Sequence, residues 1–216
     1  NLKCLSVHIG SQILNHKPYE KMLTTLSKVL NKINHKFEFI DLGGGMGISY
    51  GYNYKKLNYS KYSKAIKKFL KNHKSKIIFE PGRSIIGNAG ILITKIIYIK
   101  KSSKIKFVII DAAMNDFIRP ALYGAKHEIK PVKKNNIKIY KTHEFVGPIC
   151  ETSDKFSSVK MYQKINEQDL LVICDVGAYG MALSSNYNLR AKPAEILIDR
   201  SKVNIIGKRQ LVENLI

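Results

Sequence analysis

A chain of 216 residues, 44% of them hydrophobic, can bury a real core in one large or two modest domains. Its formal net charge of +21 rests on lysine, with only five arginines (Arg83, Arg119, Arg190, Arg200, Arg209). The lysines are spread among asparagines and isoleucines, the mixture an AT-rich coding sequence gives, whereas base readers and bidentate phosphate clamps favour arginine; the charge therefore reads as a solvated coat, and a nucleic-acid surface is set aside.

The chain opens on Asn1, not on methionine, and Leu2 to Ile9 already has the pattern of a buried strand, so the expectation is a start inside a protein. No basic segment followed by an apolar one opens it, and no apolar run of about 18 residues or more occurs, so signal-peptide and membrane-spanning readings are set aside. Three cysteines, Cys4, Cys150 and Cys174, are odd in number and lack metal-finger spacing. They point to a reduced compartment, the cytoplasm or, in a eukaryote, an organellar matrix or stroma. Cys4 and Cys174 lie in apolar strand patterns and are expected in the core.

In chain order, Leu5–Ile9 reads as a strand. A helix is expected from Pro18 to about Asn34, with Tyr19, Met22, Leu23, Leu26, Val29, Leu30 and Ile33 in a stripe of period near 3.6. Phe37–Leu42 is the next strand. A second helix starts near Ser60, with Tyr62, Ala65, Ile66, Phe69 and Leu70 on one face, and Lys76–Glu80 is a third strand. This β-α-β-α-β order with short connections predicts parallel strands. After Asn88 long helical periodicity stops. Segments beginning at Ile91, Lys106, Ile137, Asp169 and Ala194 read as strands separated by turns, hence a mostly antiparallel β-domain. The expected fold class is α/β plus all-β, with domains 1–88 and 89–216.

Each of the first three strands ends in a distinctive motif: HIGSQ (His8–Gln12), DLGGGMG (Asp41–Gly47) and EPGR (Glu80–Arg83). In a parallel α/β barrel such ends meet on one face. Gly43, Gly44 and Gly45 lack side chains, so backbone N–H groups can approach an anion, and Ser11 and Arg83 add a hydroxyl and a guanidinium. Turns use glycine too; it is the coincidence of three motifs that describes a phosphate cradle. Glu80 would repel a phosphate unless it faced another part of the ligand. A phosphorylated pyridine satisfies both, with Glu80 keeping the ring nitrogen protonated. His8 either stacks on that ring or is hydrogen-bonded within the barrel.

The ordered motifs VHIGSQ, IDLGGGMGISY, FEPGRSIIGNAG, DAAMNDFIRPALYGA, VGPICETSDKF and DVGAYGMALSSNYN, spread from Leu5 to about Asn214, resemble the diaminopimelate decarboxylase family. It is one of the fold type III pyridoxal phosphate decarboxylases, relatives of ornithine decarboxylase and alanine racemase. The resemblance implies the C-terminal part of a pyridoxal 5′-phosphate-binding (β/α)8 barrel followed by the β-domain. It implies decarboxylation of meso-2,6-diaminopimelate to L-lysine and CO2 in lysine biosynthesis. It makes His8, Ser11, Gly44, Gly45, Glu80, Pro81, Gly82, Arg83 and Tyr179 cofactor groups, and Arg83, Arg119, Tyr123, Glu151 and Tyr179 substrate groups. Cys150 is the implied proton donor, with His8 beside it in the catalytic set, and the partner is a second copy of the chain in a homodimer with shared sites. Neighbouring Glu151 and Asp154 are expected to keep the thiol protonated. Competing readings are a structural cysteine at a turn for Cys150, a structural salt bridge for Arg119, and aromatic packing for Tyr123 and Tyr179.

The family's Schiff-base lysine belongs to the first barrel strand, and no lysine here matches its motif. The expectation is a fragment or truncated paralogue, with about half the barrel missing, and inactive when alone. Another decarboxylase or a racemase of the same fold, a cofactor-less regulatory relative, and a charge-driven nucleic-acid binder are the alternatives.

Overall fold

The computed structural model describes residues 2–33, 35–51 and 55–216. The chain divides into two compact units, Asn1–Ala89 and Gly90–Ile216.

The first unit is built on three short parallel strands in the order β1 (Cys4–Ser6), β2 (Phe39–Asp41), β3 (Lys76–Ile78), with Leu5, Ile40 and Ile77 in register across them. Parallel neighbours need a crossover, and two helices supply it: α1 (Lys17–Lys32) and α2 (Tyr59–Asn72). Pro18 falls in the first turn of α1, where its missing N–H costs nothing. The helix ends at Lys32; the expected end near Asn34 lies outside the described residues. Asn58 caps α2, its side-chain oxygen accepting from Lys61 N at 2.9 Å. Tyr19, Met22, Leu23 and Leu26 of α1 and Tyr62 and Phe69 of α2 are buried against Ile40 and Leu42 of the central strand region. Tyr19 and Tyr62 stack with centroids 4.3 Å apart. Cys4 is exposed, against expectation: on edge strand β1 the side chains alternate, and Leu5 takes the covered face while Cys4 and Ser6 take the other. A short helix α3 (Arg83–Ile86) follows β3.

The second unit carries β4 (Leu92–Lys101), β5 (Ile105–Ile110), α4 (Arg119–Tyr123), β6 (Ile129–Pro131), β7 (Lys138–Ile139), β8 (Thr142–Val146), β9 (Lys155–Val159), β10 (Tyr162–Gln163), β11 (Leu170–Ile173), β12 (Glu195–Asp199) and β13 (Lys202–Gly207). Six of these strands form one sheet in the order β6-β11-β4-β5-β8-β9. The sheet is mixed, which corrects the mostly antiparallel expectation at one place: β5 and β8 are parallel. The segment from 111 to 141, with α4, β6 and β7, is the long crossover that such a pair requires. Ile96, Val108, Ile110, Phe117, Phe145, Phe156, Leu171 and Ile173 form the core. Cys174 is only partly buried, because the sheet has ended at Ile173. Among the described residues no helix is long and apolar enough to cross a membrane.

Candidate functional site

In the first unit, hydrogen bonds lace together the three motifs at the strand ends. Glu80 N donates to Gly43 O at 2.9 Å, and Ile13 N donates to Gly45 O at 2.9 Å. Gly44 N donates to His8 Nδ1 at 3.4 Å, which leaves the His8 proton on Nε2 in the neutral tautomer. His8 and Glu80 are both exposed. Gln12 has φ of 60°, an uncommon left-handed conformation, and its side chain pairs with Ile48 through Nε2 to the carbonyl (2.7 Å) and Oε1 from the N–H (3.3 Å). That pairing fixes the loop on which Ser11 sits. Arg83, at the start of α3, donates from Nη2 to Ser11 Oγ at 3.1 Å and from Nη1 to the Tyr50 hydroxyl at 2.5 Å. Hydroxyl and guanidinium therefore meet in one place although 72 positions separate them.

The glycines also let backbones pass close to one another. A Cβ on Gly44 would lie 2.1 Å from Glu80 O, and one on Gly45 would lie 2.1 Å from Gly10 O. Gly43 N donates to Asp41 Oδ1 at 2.8 Å. Gly43 and Gly44 thus spend their N–H groups inside the protein, and Gly44 and Gly45 serve the close approach of three strand ends. The open faces are at Gly10 and Gly82, where an added Cβ would meet nothing within 4 Å. Pro81, between Glu80 and Gly82, is partly buried. Buried Tyr19 ties α1 to this loop by donating to Gly44 O at 3.1 Å, and burial pushes its phenol up to about 12. Asp41, buried, accepts from Gly43 N and from Ser6 Oγ (2.9 Å); together with Gln12 and Tyr50 it braces the site without having been singled out in the sequence.

In the second unit Arg119 begins α4 and is buried. Its Nη1 donates to His127 Nε2 at 2.8 Å, and His127 Nδ1 in turn donates to Cys174 O at 2.8 Å. One neutral imidazole thereby orients the guanidinium. Tyr123, four residues on, is exposed. Tyr179 has φ of 59°, a strained setting for a bulky side chain of the kind that clusters at functional sites.

Cys150 and Glu151 are exposed in the turn between β8 and β9. Asp154 builds that turn. Its carboxylate accepts from Ile149 N and from Met114 N, each at 2.8 Å, and its backbone closes onto Gly147 and Glu151. The side chain is 3% exposed, and burial raises its pKa. Asp154 is thus a buried brace for the loop that carries the thiol. Glu151 accepts from the hydroxyl of Tyr187 at 2.5 Å. Tyr187 and His127 were not assigned from sequence; Tyr187 lies in a quoted motif, but only the folded chain sets it against Glu151.

A family model described as pyridoxal-dependent decarboxylase, C-terminal sheet domain, matches residues 14–177. The diaminopimelate decarboxylase of Zymomonas mobilis is 41% identical over 215 residues, 98% of this chain and 51% of that protein. That of Aquifex aeolicus is 40% identical over 215 residues, covering 97% and 51%. Among solved structures, diaminopimelate decarboxylase from Helicobacter pylori complexed with L-lysine is similar with a TM-score of 0.89 and 38% identity, over 98% of this chain and 53% of that one. The chain spans about half the length of the curated relatives it matches.

Proposed function

Since the chain belongs to the pyridoxal-dependent decarboxylase family, we propose that it serves the decarboxylation of meso-2,6-diaminopimelate to L-lysine and CO2, with its first unit forming the C-terminal part of a (β/α)8 barrel. The observation that carries this reading is the meeting of the Ser11 hydroxyl and the Arg83 guanidinium, 3.1 Å apart, at strand ends that also present His8 and Glu80 and leave Gly10 and Gly82 uncovered. A hydroxyl, a cation and open backbone fit a phosphate, and an exposed carboxylate fits a protonated ring nitrogen. The residues thus suit pyridoxal 5′-phosphate, with Ser11, Gly45, Gly82 and Arg83 toward its phosphate, Glu80 toward its nitrogen and His8 toward its ring face. When bound, the cofactor supplies an electron sink for the pair left as CO2 departs.

The second unit contributes substrate groups and an acid. Arg119, oriented by His127, suits a carboxylate, and the resemblance adds Tyr123 to that grip. Glu151 suits an ammonium, and the resemblance implies a binding role for Tyr179. Cys150 holds the proton that replaces CO2 at the substrate carbon, a step to which a positioned acid contributes roughly 10²- to 10⁴-fold. The resemblance adds a homodimer in which the Cys150 segment serves the partner's site.

The test is a substrate panel on the holoenzyme: meso-diaminopimelate, ornithine, arginine and alanine. Diaminopimelate should be preferred over ornithine by on the order of 10⁴, because ornithine has no carboxylate for Arg119. Equal turnover of ornithine would move the reading to another decarboxylase of this fold. Cys150→Ala should keep cofactor absorbance and lose turnover; undiminished turnover removes Cys150 from the role. Assayed alone, the 216 residues should be inactive, since no lysine in them matches the family's cofactor-lysine motif.

A further inference from the structure

We propose that Tyr187 is a positioning residue for Glu151: its hydroxyl holds one carboxylate oxygen in place, so that the other is presented to the substrate's distal ammonium. The inference rests on the substrate reading above and names a residue that reading does not use.

The geometry is a closed circuit of hydrogen bonds through three loops. Glu151 stands in the turn braced by Asp154, and Asp154 accepts from Met114 N at 2.8 Å. The next residue, Asn115, is buried; its carbonyl accepts from Ser185 N at 2.9 Å and its side-chain oxygen accepts from Arg190 Nε at 2.9 Å. Arg190 also donates to Asp111 O at 2.6 Å and lies 3.7 Å from the Asp116 carboxylate. The segment from Ser185 to Arg190 is therefore fastened at both ends. Asn186 closes it across, donating to Arg190 O at 2.9 Å. Tyr187 projects from the fastened segment and completes the circuit by donating to Glu151 Oε1 at 2.5 Å.

The backbone after Tyr187 shows that this arrangement is imposed. Asn188 and Leu189 have φ of 55° and 54°. Two successive non-glycine residues in the left-handed region are strained, and such strain persists only where the surroundings over-determine it. Without the phenol, Glu151 is an exposed side chain with several free torsions, and ordering it on substrate binding costs entropy. An O–H donated to a carboxylate is charge-assisted, which makes it one of the stronger hydrogen bonds. The Tyr187 pKa is raised, first by the hydrogen bond to Glu151 and then by that carboxylate's charge.

Two measurements test this. In the holoenzyme, Tyr187→Phe should raise KM for meso-diaminopimelate roughly ten- to hundredfold, the loss of one charge-assisted hydrogen bond, while kcat changes little. In protein labelled at the tyrosine ζ-carbon, the resonance missing from Tyr187→Phe should titrate above an ordinary tyrosine in the wild type and move downward in Glu151→Gln. Wild-type turnover with an unchanged KM in Tyr187→Phe overturns this inference alone. A Tyr187 resonance unmoved in Glu151→Gln also overturns it. A wild-type holoenzyme that ignores diaminopimelate overturns the substrate reading, and this inference with it.

Discussion

At the scale of single residues, carboxylates of the same type do opposite work. Glu151 is exposed and accepts from the Tyr187 hydroxyl, whereas Asp154, three positions on, is buried and uses both oxygens on backbone N–H groups. Asparagine is nearly the same shape but offers one acceptor, and its NH2 would face the other donor. Asp154→Asn should therefore strand either Ile149 N or Met114 N, at a cost of about 1–3 kcal/mol. The expected result is a lower denaturation midpoint; an unchanged midpoint would show that the turn stands without its brace. That an acid belongs near Cys150 was legible in the sequence. Which acid is buried was not, because burial of Asp154 depends on Met114, 40 positions earlier.

Among the elements, the glycine run shows how strand ends are assembled. The motif after β2 was recognisable by composition alone, but its glycines are fitted to the backbones of the segments after β1 and β3. Gly44→Ala puts a methyl 2.1 Å from the Glu80 carbonyl, a backbone atom that cannot turn away. The ends of β2 and β3 must part, and Glu80 moves with them. Overpacking of this kind costs about 1–3 kcal/mol, so thermal unfolding should shift downward and pyridoxal phosphate should bind more weakly. Gly82→Ala meets nothing and should leave thermal unfolding where it is. If both variants melt like the wild type, the close approach is not a constraint on the fold. The two long helices were legible because each keeps an apolar stripe over about two turns, as α1 does from Tyr19 to Leu26 and α2 from Tyr62 to Phe69. The parallel β5–β8 pair was not, because strands of either direction carry the same alternation.

For the molecule as a whole, a buried histidine makes stability depend on pH. His143 of β8 is fully buried, its Nδ1 donating to Lys141 O at 2.7 Å while Nε2 has no hydrogen-bond partner among the described residues. Burial lowers its pKa, with Lys106 and Lys141 adding to the effect against that hydrogen bond. The folded form therefore resists the proton that the unfolded chain accepts near pH 6.5. As pH falls through that range the unfolded state binds more protons, and stability declines. The midpoint of chemical denaturation should be lower at pH 5 than at pH 7.5, and His143→Phe should narrow that gap. A gap of the same size in the variant would assign the pH dependence to other groups.

What the sequence by itself determined are the features written in short-range order: the parallel β-α-β-α-β run, the change to strands after Asn88, the motifs at three strand ends, and the presence of a thiol beside a carboxylate. Side-chain period and turn chemistry act over a few residues, so they can be read directly. Only the tertiary structure decided that Arg83 reaches Ser11, that His127 orients Arg119, that Asp154 braces the Cys150 turn and that Tyr187 holds Glu151. Most of these pairings span tens of positions, and each forms because the packing of whole elements brings its partners within hydrogen-bond reach, which no local pattern records.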